Sequence, residues 1–219
     1  MKKEIFALII TCFTVLACND NNASKNNSIT QSLKRMIGID GRSDTILFVC
    51  MDIEQKEWLH EVQNFAGAFY NRPIKSINAH LPIGNYKTKR GRFKADALIK
   101  YLDTINNDRY KFVVGLCDAD ISTIKGSNKD WGVFGLGSLD HTACVISTQR
   151  LKRNADQEKL KLRLKKVVIH ELGHNHGIKH CESGLPWFMV DAHGKISTID
   201  NEPLDMCNTC KKKKYHFPI

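Results

Sequence analysis

One segment of the 219-residue chain gathers side chains able to bind a metal: His170-Glu-Leu-Gly-His174-Asn-His-Gly177-Ile-Lys-His180. His170 and His174 are four residues apart, so on a helix they project from one face, one turn apart. Both imidazoles can then reach a single Zn²⁺ at about 2.0–2.1 Å. Glu171 follows the first histidine. It is near enough to take a proton from a water at the metal's open position without ligating the ion itself. Gly177 can adopt a positive φ angle, end the helix, and let the chain swing round so that His180 supplies a third nitrogen. Three protein ligands leave a fourth position for water, the requirement of a hydrolytic site. A bare H-E-x-x-H arises by chance on polar helix faces; the longer pattern, with glycine and third histidine in register, is far more specific. His176 lies two residues from His174 and points elsewhere on the helix, as a surface histidine or one standing behind the ligands.

Cysteine is the second chemical signal. Cys50, Cys117 and Cys144 each sit in an apolar, strand-like run, where cysteine usually acts as a small core hydrophobe. Cys181, Cys207 and Cys210 all follow the histidine cluster. An oxidising compartment would permit disulfides among them. A C-x-x-C pair suits redox chemistry, and clustering beside a metal motif suits ligation equally well.

The N-terminus reads as an export signal. Lys2 and Lys3 precede an apolar run over residues 5–16, short for a membrane span and right for the hydrophobic part of a leader. Val15-Leu16-Ala17-Cys18 resembles the lipobox of bacterial lipoproteins, in which the cysteine is lipidated and becomes the first mature residue. The alternative is an ordinary secretory signal cut near Ala17. Residues 19–28 are rich in asparagine and serine with almost nothing to bury, so a disordered tether is expected. This assigns residues 1–17 to the leader, 18–42 to Cys18 and its tether, and 43–219 to one catalytic domain. A lipid-anchored place in a bacterial cell envelope, periplasmic or outer-membrane-facing, follows. The net charge of +10 becomes +9 once two lysines and a glutamate leave with the leader. The basic residues are spread out, apart from runs at 159–166 and 211–214, which describes a solvated basic surface rather than a nucleic-acid site. A monomer is expected.

The elements that must position the histidines follow from periodicity. Residues 45–51 and 111–117 are continuous apolar runs, hence buried strands; 74–80 and 142–148 read as further strands. Residues 54–70 have helical spacing with Trp58, Val62, Phe65 and Phe69 on one face. Residues 93–105 make a second helix, and 155–175 a long one bearing Leu160, Leu164, Val167, Glu171 and His174 on one side. The glycine-rich stretch 126–137, with Trp131 and Phe134, reads as a structured loop. The class is α+β with an α/β-like order: a mixed, twisted sheet, packed helices, an active-site helix, and an irregular subdomain from about residue 178.

The order of motifs resembles the archaemetzincins, a branch of the metzincin zinc metallopeptidases. His180-Cys181, Met189 and Cys207-Asn-Thr-Cys210 fall in that family's sequence, and Phe112–Asp120 and Trp131–Gly137 also resemble its segments. The resemblance spans roughly residues 45–215. It implies a catalytic zinc on His170, His174 and His180 and a methionine, Met189, beneath the metal. Met206 is the alternative, and a gap-filling core residue is the plainer account of either. It also implies that the strand at 142–148 borders the cleft and can pair with an extended peptide. Family members hold a second, structural zinc on four cysteines. Here Pro186 and Trp187 stand where the second cysteine belongs. The fourth ligand could be His193, Asp191 or His216; alternatively zinc is lost, or the thiols form a disulfide. A degenerate site with Trp187 packing into the gap is the favoured expectation. Peptide hydrolysis is thus expected, and a non-catalytic metal-binding lipoprotein is the rival from another class. A polymer-binding module driven by charge is a third reading. Glu171 argues for the enzyme, since a purely structural site does not require it.

Overall fold

A computed structural model describes residues 41–53, 57–139 and 141–215. The leader, Cys18, most of the tether, the start of the helix expected from residue 54, and His216 lie outside the described residues.

Five strands form the main sheet, in the order β2-β1-β4-β8-β7. β1 (Ser43–Met51), β2 (Ile74–Ala79), β4 (Tyr110–Cys117) and β8 (Ala143–Ser147) run parallel, while the two-residue β7 (Gly135–Leu136) is antiparallel to β8. Parallel strands covered on both faces read as unbroken apolar runs. β1 shows the result: Ile46, Phe48 and Cys50 enter one core, and Leu47, Val49 and Met51 enter the other. The same alternation divides Val114 and Leu116 of β4 from Val113 and Cys117, and Cys144 and Ile146 of β8 from Ala143 and Val145. Helices α1 (Glu57–Tyr70) and α3 (Gln157–Asn175) cover the first face, and α2 (Ala95–Asn106) the second. The mixed α+β architecture agrees with the sequence reading, and Cys50, Cys117 and Cys144 are core residues as expected.

A second sheet, β3-β5-β6, corrects two expectations. Phe93 and Lys94 form strand β3 instead of opening the helix, because Phe93 pairs with Ile121 of β5 (Ile121–Lys125) before α2 begins at Ala95. The stretch 126–137 is not a loop: β6 (Asn128–Val133) pairs back on β5 and β7 follows at once. Its glycines and polar residues hide the strand signal, and pairing supplies it. Downstream of the metal segment, α4 (Ile196–Asn201) and α5 (Asn208–Tyr215) are short helices in an otherwise irregular run. Among the described residues no helix is long and apolar enough to cross a membrane.

Candidate active site

Helix α3 carries the site. Asp156 caps its start by accepting the Lys159 N–H at 2.8 Å. Leu160, Leu164, Val168 and Leu172 anchor it in the core. Its C-terminus is a Schellman turn: Ile178 N–H donates to Gly173 O at 2.9 Å and Gly177 N–H to His174 O at 2.8 Å. Gly177 takes φ 74°, the left-handed conformation that closes the turn and sends the chain back toward its own helix.

The three histidines converge as the spacing predicts. His174 Nε2 lies 3.1 Å from His170 Nε2 and 3.2 Å from His180 Nε2. A tetrahedral ion with Zn–N bonds of about 2.0–2.1 Å sets its nitrogens roughly 3.3–3.4 Å apart, so the group fits one zinc. The opposite ring nitrogens are held: His170 Nδ1 donates to Phe188 O at 2.5 Å and His174 Nδ1 to Ile178 O at 2.8 Å. Those bonds leave each Nε2 lone pair facing its neighbours. Burial, reinforced by His174, holds the His170 imidazole down at about 3, in the neutral form that can ligate.

Glu171 is buried beside this group. Burial pushes its carboxyl up to about 8, against the pull of the Gly137 N–H. Gly135 and Gly137 lie flat on it: a Cβ at Gly135 would stand 2.8 Å from the Glu171 Cγ and Oε1, and one at Gly137 2.6 Å from the Glu171 backbone oxygen. Sequence reasoning saw glycine richness here but not its purpose. The signal available was two glycines flanking one residue, which only the β7–α3 approach explains.

Met189 is fully buried. A Cβ on Gly173 would stand 2.6 Å from its Sδ, so the side chain presses on α3 between His170 and His174. Met206 is also buried, in the same core. His176 is not a surface residue. It is 2 % exposed and stacked between Tyr70 and Phe112, with ring centroids 4.3 and 4.0 Å away.

The expected cleft strand needs the same kind of correction. β8 lies between β4 and β7, which covers it at Val145 and Ile146, so β7 is the outer strand there. Residues 133–137 line a cavity of about 230 Å³ together with His170, Glu171, His174 and His180.

Cys181, Cys207 and Cys210 meet in a second group, with Sγ atoms within 4.8 Å of one another and Cys181 Sγ 3.5 Å from Cys207 Sγ. A tetrahedral zinc with Zn–S of about 2.3 Å sets sulfurs roughly 3.8 Å apart, so the triad fits three corners of a site. All three are free thiols. Burial raises the Cys207 thiol, but N–H and S–H donation, led by Cys210, outweighs it and holds the group below its usual value. Two proposed fourth ligands lie elsewhere: Asp191 and His193 pair with each other at 3.1 Å, and both sit in the field of His180. Ser183 Oγ, 3.2 Å from Cys181 Sγ, is the polar neighbour instead.

A long helix turned back on itself by glycine, three imidazoles on one ion position and a buried glutamate beside them define a metal-dependent peptidase, and zinc is the metal that this ligand set suits. The family description "Peptidase family M54" matches residues 43–215, and the chain belongs to that family. It is 26% identical over 176 residues to an archaemetzincin of Saccharolobus solfataricus, covering 77% of this chain and 91% of that protein. It is 30% identical over 138 residues to one of Methanocaldococcus jannaschii, covering 61% and 72%. The solved archaemetzincin of Methanopyrus kandleri shares the fold with a TM-score of 0.67 at 23% identity, over 78% of this chain and 93% of that one. The resemblance read from the sequence is borne out, and the zinc metallopeptidase reading with it; the non-catalytic rival is not favoured.

Proposed function

We propose that the protein cleaves peptide bonds with His170, His174 and His180 as the zinc ligands and Glu171 as general base. The convergence of the three Nε2 atoms beside a buried carboxylate in one cavity carries this reading. Zinc, when bound, supplies Lewis acidity for the substrate carbonyl and for water. Glu171 accepts the proton of the attacking water at a carboxylate oxygen and passes it to the leaving amine nitrogen. Gly137 N–H orients that carboxylate, and Phe188 O and Ile178 O hold two of the imidazoles. Met189 acts as the support beneath the ligands, while β7, at the rim of the cavity, is the strand along which an extended peptide would lie. Removal of zinc by a chelator should abolish cleavage of a mixed peptide library, and zinc should restore it. Cleavage that persists in the metal-free protein would refute the reading.

Cys181, Cys207 and Cys210 are assigned to a second, structural zinc, with Ser183 or a water completing it. Metal analysis should give two zincs per chain, falling by one in Cys207→Ser. A count of one in both proteins would remove that site. The lipobox-like Cys18 supports anchoring of a monomer to the envelope by lipid. Cys18→Ser should release the protein from the membrane fraction; retention there would contradict the anchor.

A further inference from the structure

One wall of the metal-site cavity carries two charged side chains that the chemistry above leaves unused. Lys166 stands one helical turn before His170, on the face of α3 that bears the ligands. It is 4 % exposed, and its Nζ donates to Ile199 O at 2.6 Å and Asp200 O at 3.2 Å. Two of the three ammonium hydrogens are thereby used. Glu202, 6 % exposed, follows α4 and lines the same cavity. Its Oε1 is shut away from solvent with no hydrogen-bond partner. The Asp200 carboxylate is engaged by Arg163, at 2.7 and 2.8 Å, and by Lys159 at 3.5 Å, and Lys166 meets Asp200 through its backbone oxygen instead. Lys166 and Glu202 feel each other's charge yet form no direct ion pair. A purely structural pair would close on itself, since an unmet buried oxygen costs stability. This pair leaves one ammonium hydrogen and one carboxylate oxygen unmet on two side chains that line the cavity, together with Val133, Val167 and Ile199.

We propose that Lys166 and Glu202 form the floor of a substrate side-chain pocket selective for a neutral carboxamide, glutamine or asparagine, next to the scissile bond. A carboxamide offers its carbonyl to the remaining Lys166 hydrogen and its NH₂ to the Glu202 carboxylate. A lysine or arginine would meet the ammonium, an aspartate or glutamate would meet the carboxylate, and a leucine would leave both polar groups unmet. Sites built to hydrogen-bond a substrate group reject analogues lacking it far more strongly than apolar pockets reject a missing methylene. Burial pushes the Glu202 carboxyl up to about 8 and pulls the Lys166 ammonium down from its ordinary value, so the selectivity is sharpest in the window between the two, where both groups are charged.

This assignment rests on the peptidase reading of the same cavity, and the test separates the two. The full chain carrying Glu171→Gln is titrated at pH 9 with fluorescent peptides that differ only at the positions flanking the bond, set to glutamine, glutamate, lysine or leucine. At one flanking position, glutamine should bind about tenfold tighter than the other three. Adding Lys166→Met should move the preference to lysine, and adding Glu202→Leu should move it to glutamate. Equal binding of all four, leucine binding tightest, or a ranking that neither substitution moves would overturn the proposal. Because the ranking in the otherwise unaltered chain decides by itself, a variant that fails to fold does not protect the idea. If the ranking holds but the wild-type chain cuts none of these peptides with zinc bound, the pocket stands and the peptidase reading falls. If it cuts all four at one rate, the reverse is true.

Discussion

Gly173 offers a quantitative test of how Met189 supports the metal site. Gly173→Ala in a helix interior should gain about 1 kcal/mol from propensity alone. Here the new methyl would meet Met189 Sδ at 2.6 Å, Met189 Cε at 3.1 Å and the Tyr70 hydroxyl at 3.3 Å. Overpacking of a filled core typically costs about 1–3 kcal/mol, so the net change should be a loss of roughly 0–2 kcal/mol. Met189→Ala alone should cost about 2–5 kcal/mol through the cavity it leaves. In that background the Met189 clash is gone and only the Tyr70 hydroxyl, at 3.3 Å, stays close, so Gly173→Ala should stabilise by up to roughly 1 kcal/mol. The cycle therefore predicts a coupling of about 1–3 kcal/mol. Urea unfolding of the four proteins in chelator measures it free of metal linkage. The consequence for function is a weaker metal site in Gly173→Ala, since displacing Met189 drags the adjacent Phe188 carbonyl that holds His170. Additive effects in the cycle, with unaltered zinc affinity, would refute the claim that Met189 is wedged against α3.

Gly137→Ala should cut kcat by about 10²-fold or more while leaving zinc content unchanged, because its methyl would fall 2.6 Å from the Glu171 carbonyl and displace the base but no ligand; wild-type turnover would show that β7 need not touch the helix. Asp200→Asn should cost about 2–3 kcal/mol in denaturant melts, since it strands Arg163, which is 2 % exposed. Arg163's hydrogen bonds hold the Asp200 carboxyl below its ordinary value, so this stabilisation is complete above about pH 3.9 and fades as pH falls through the lower folded value. The variant should lack that acid-side component, and an unchanged slope below pH 4 would contradict the assignment.

The chemistry of the site was legible because it is local. His170, Glu171, His174, Gly177 and His180 are set by helix pitch and one positive-φ glycine, and both can be read within eleven residues. The buried strands β1, β4 and β8 were legible from continuous apolar runs. What escaped depends on pairing across the chain. β6 and β7 have weak strand composition and exist because β5 and β8 pair with them. Spacing alone leaves His176 open between a surface place and one behind the ligands, because Tyr70 and Phe112, which sandwich it, are more than sixty residues upstream in sequence. Lys166 read as one lysine in a basic run, and only the return of α4 to helix α3 buries it beside Glu202. Asp191 and His193 were proposed for the cysteine group from nearness in sequence, but the turn after Met189 delivers them to the histidine side.

The central claim is that Glu171 moves the proton while three histidines hold the metal, and Glu171→Gln tests it most directly. The side chain keeps its size and remains able to accept the Gly137 N–H, but it can no longer take a proton. Peptide cleavage should fall by at least about 10²-fold, with zinc content and unfolding midpoint close to wild type. Cleavage at the wild-type rate with zinc still bound would contradict the account.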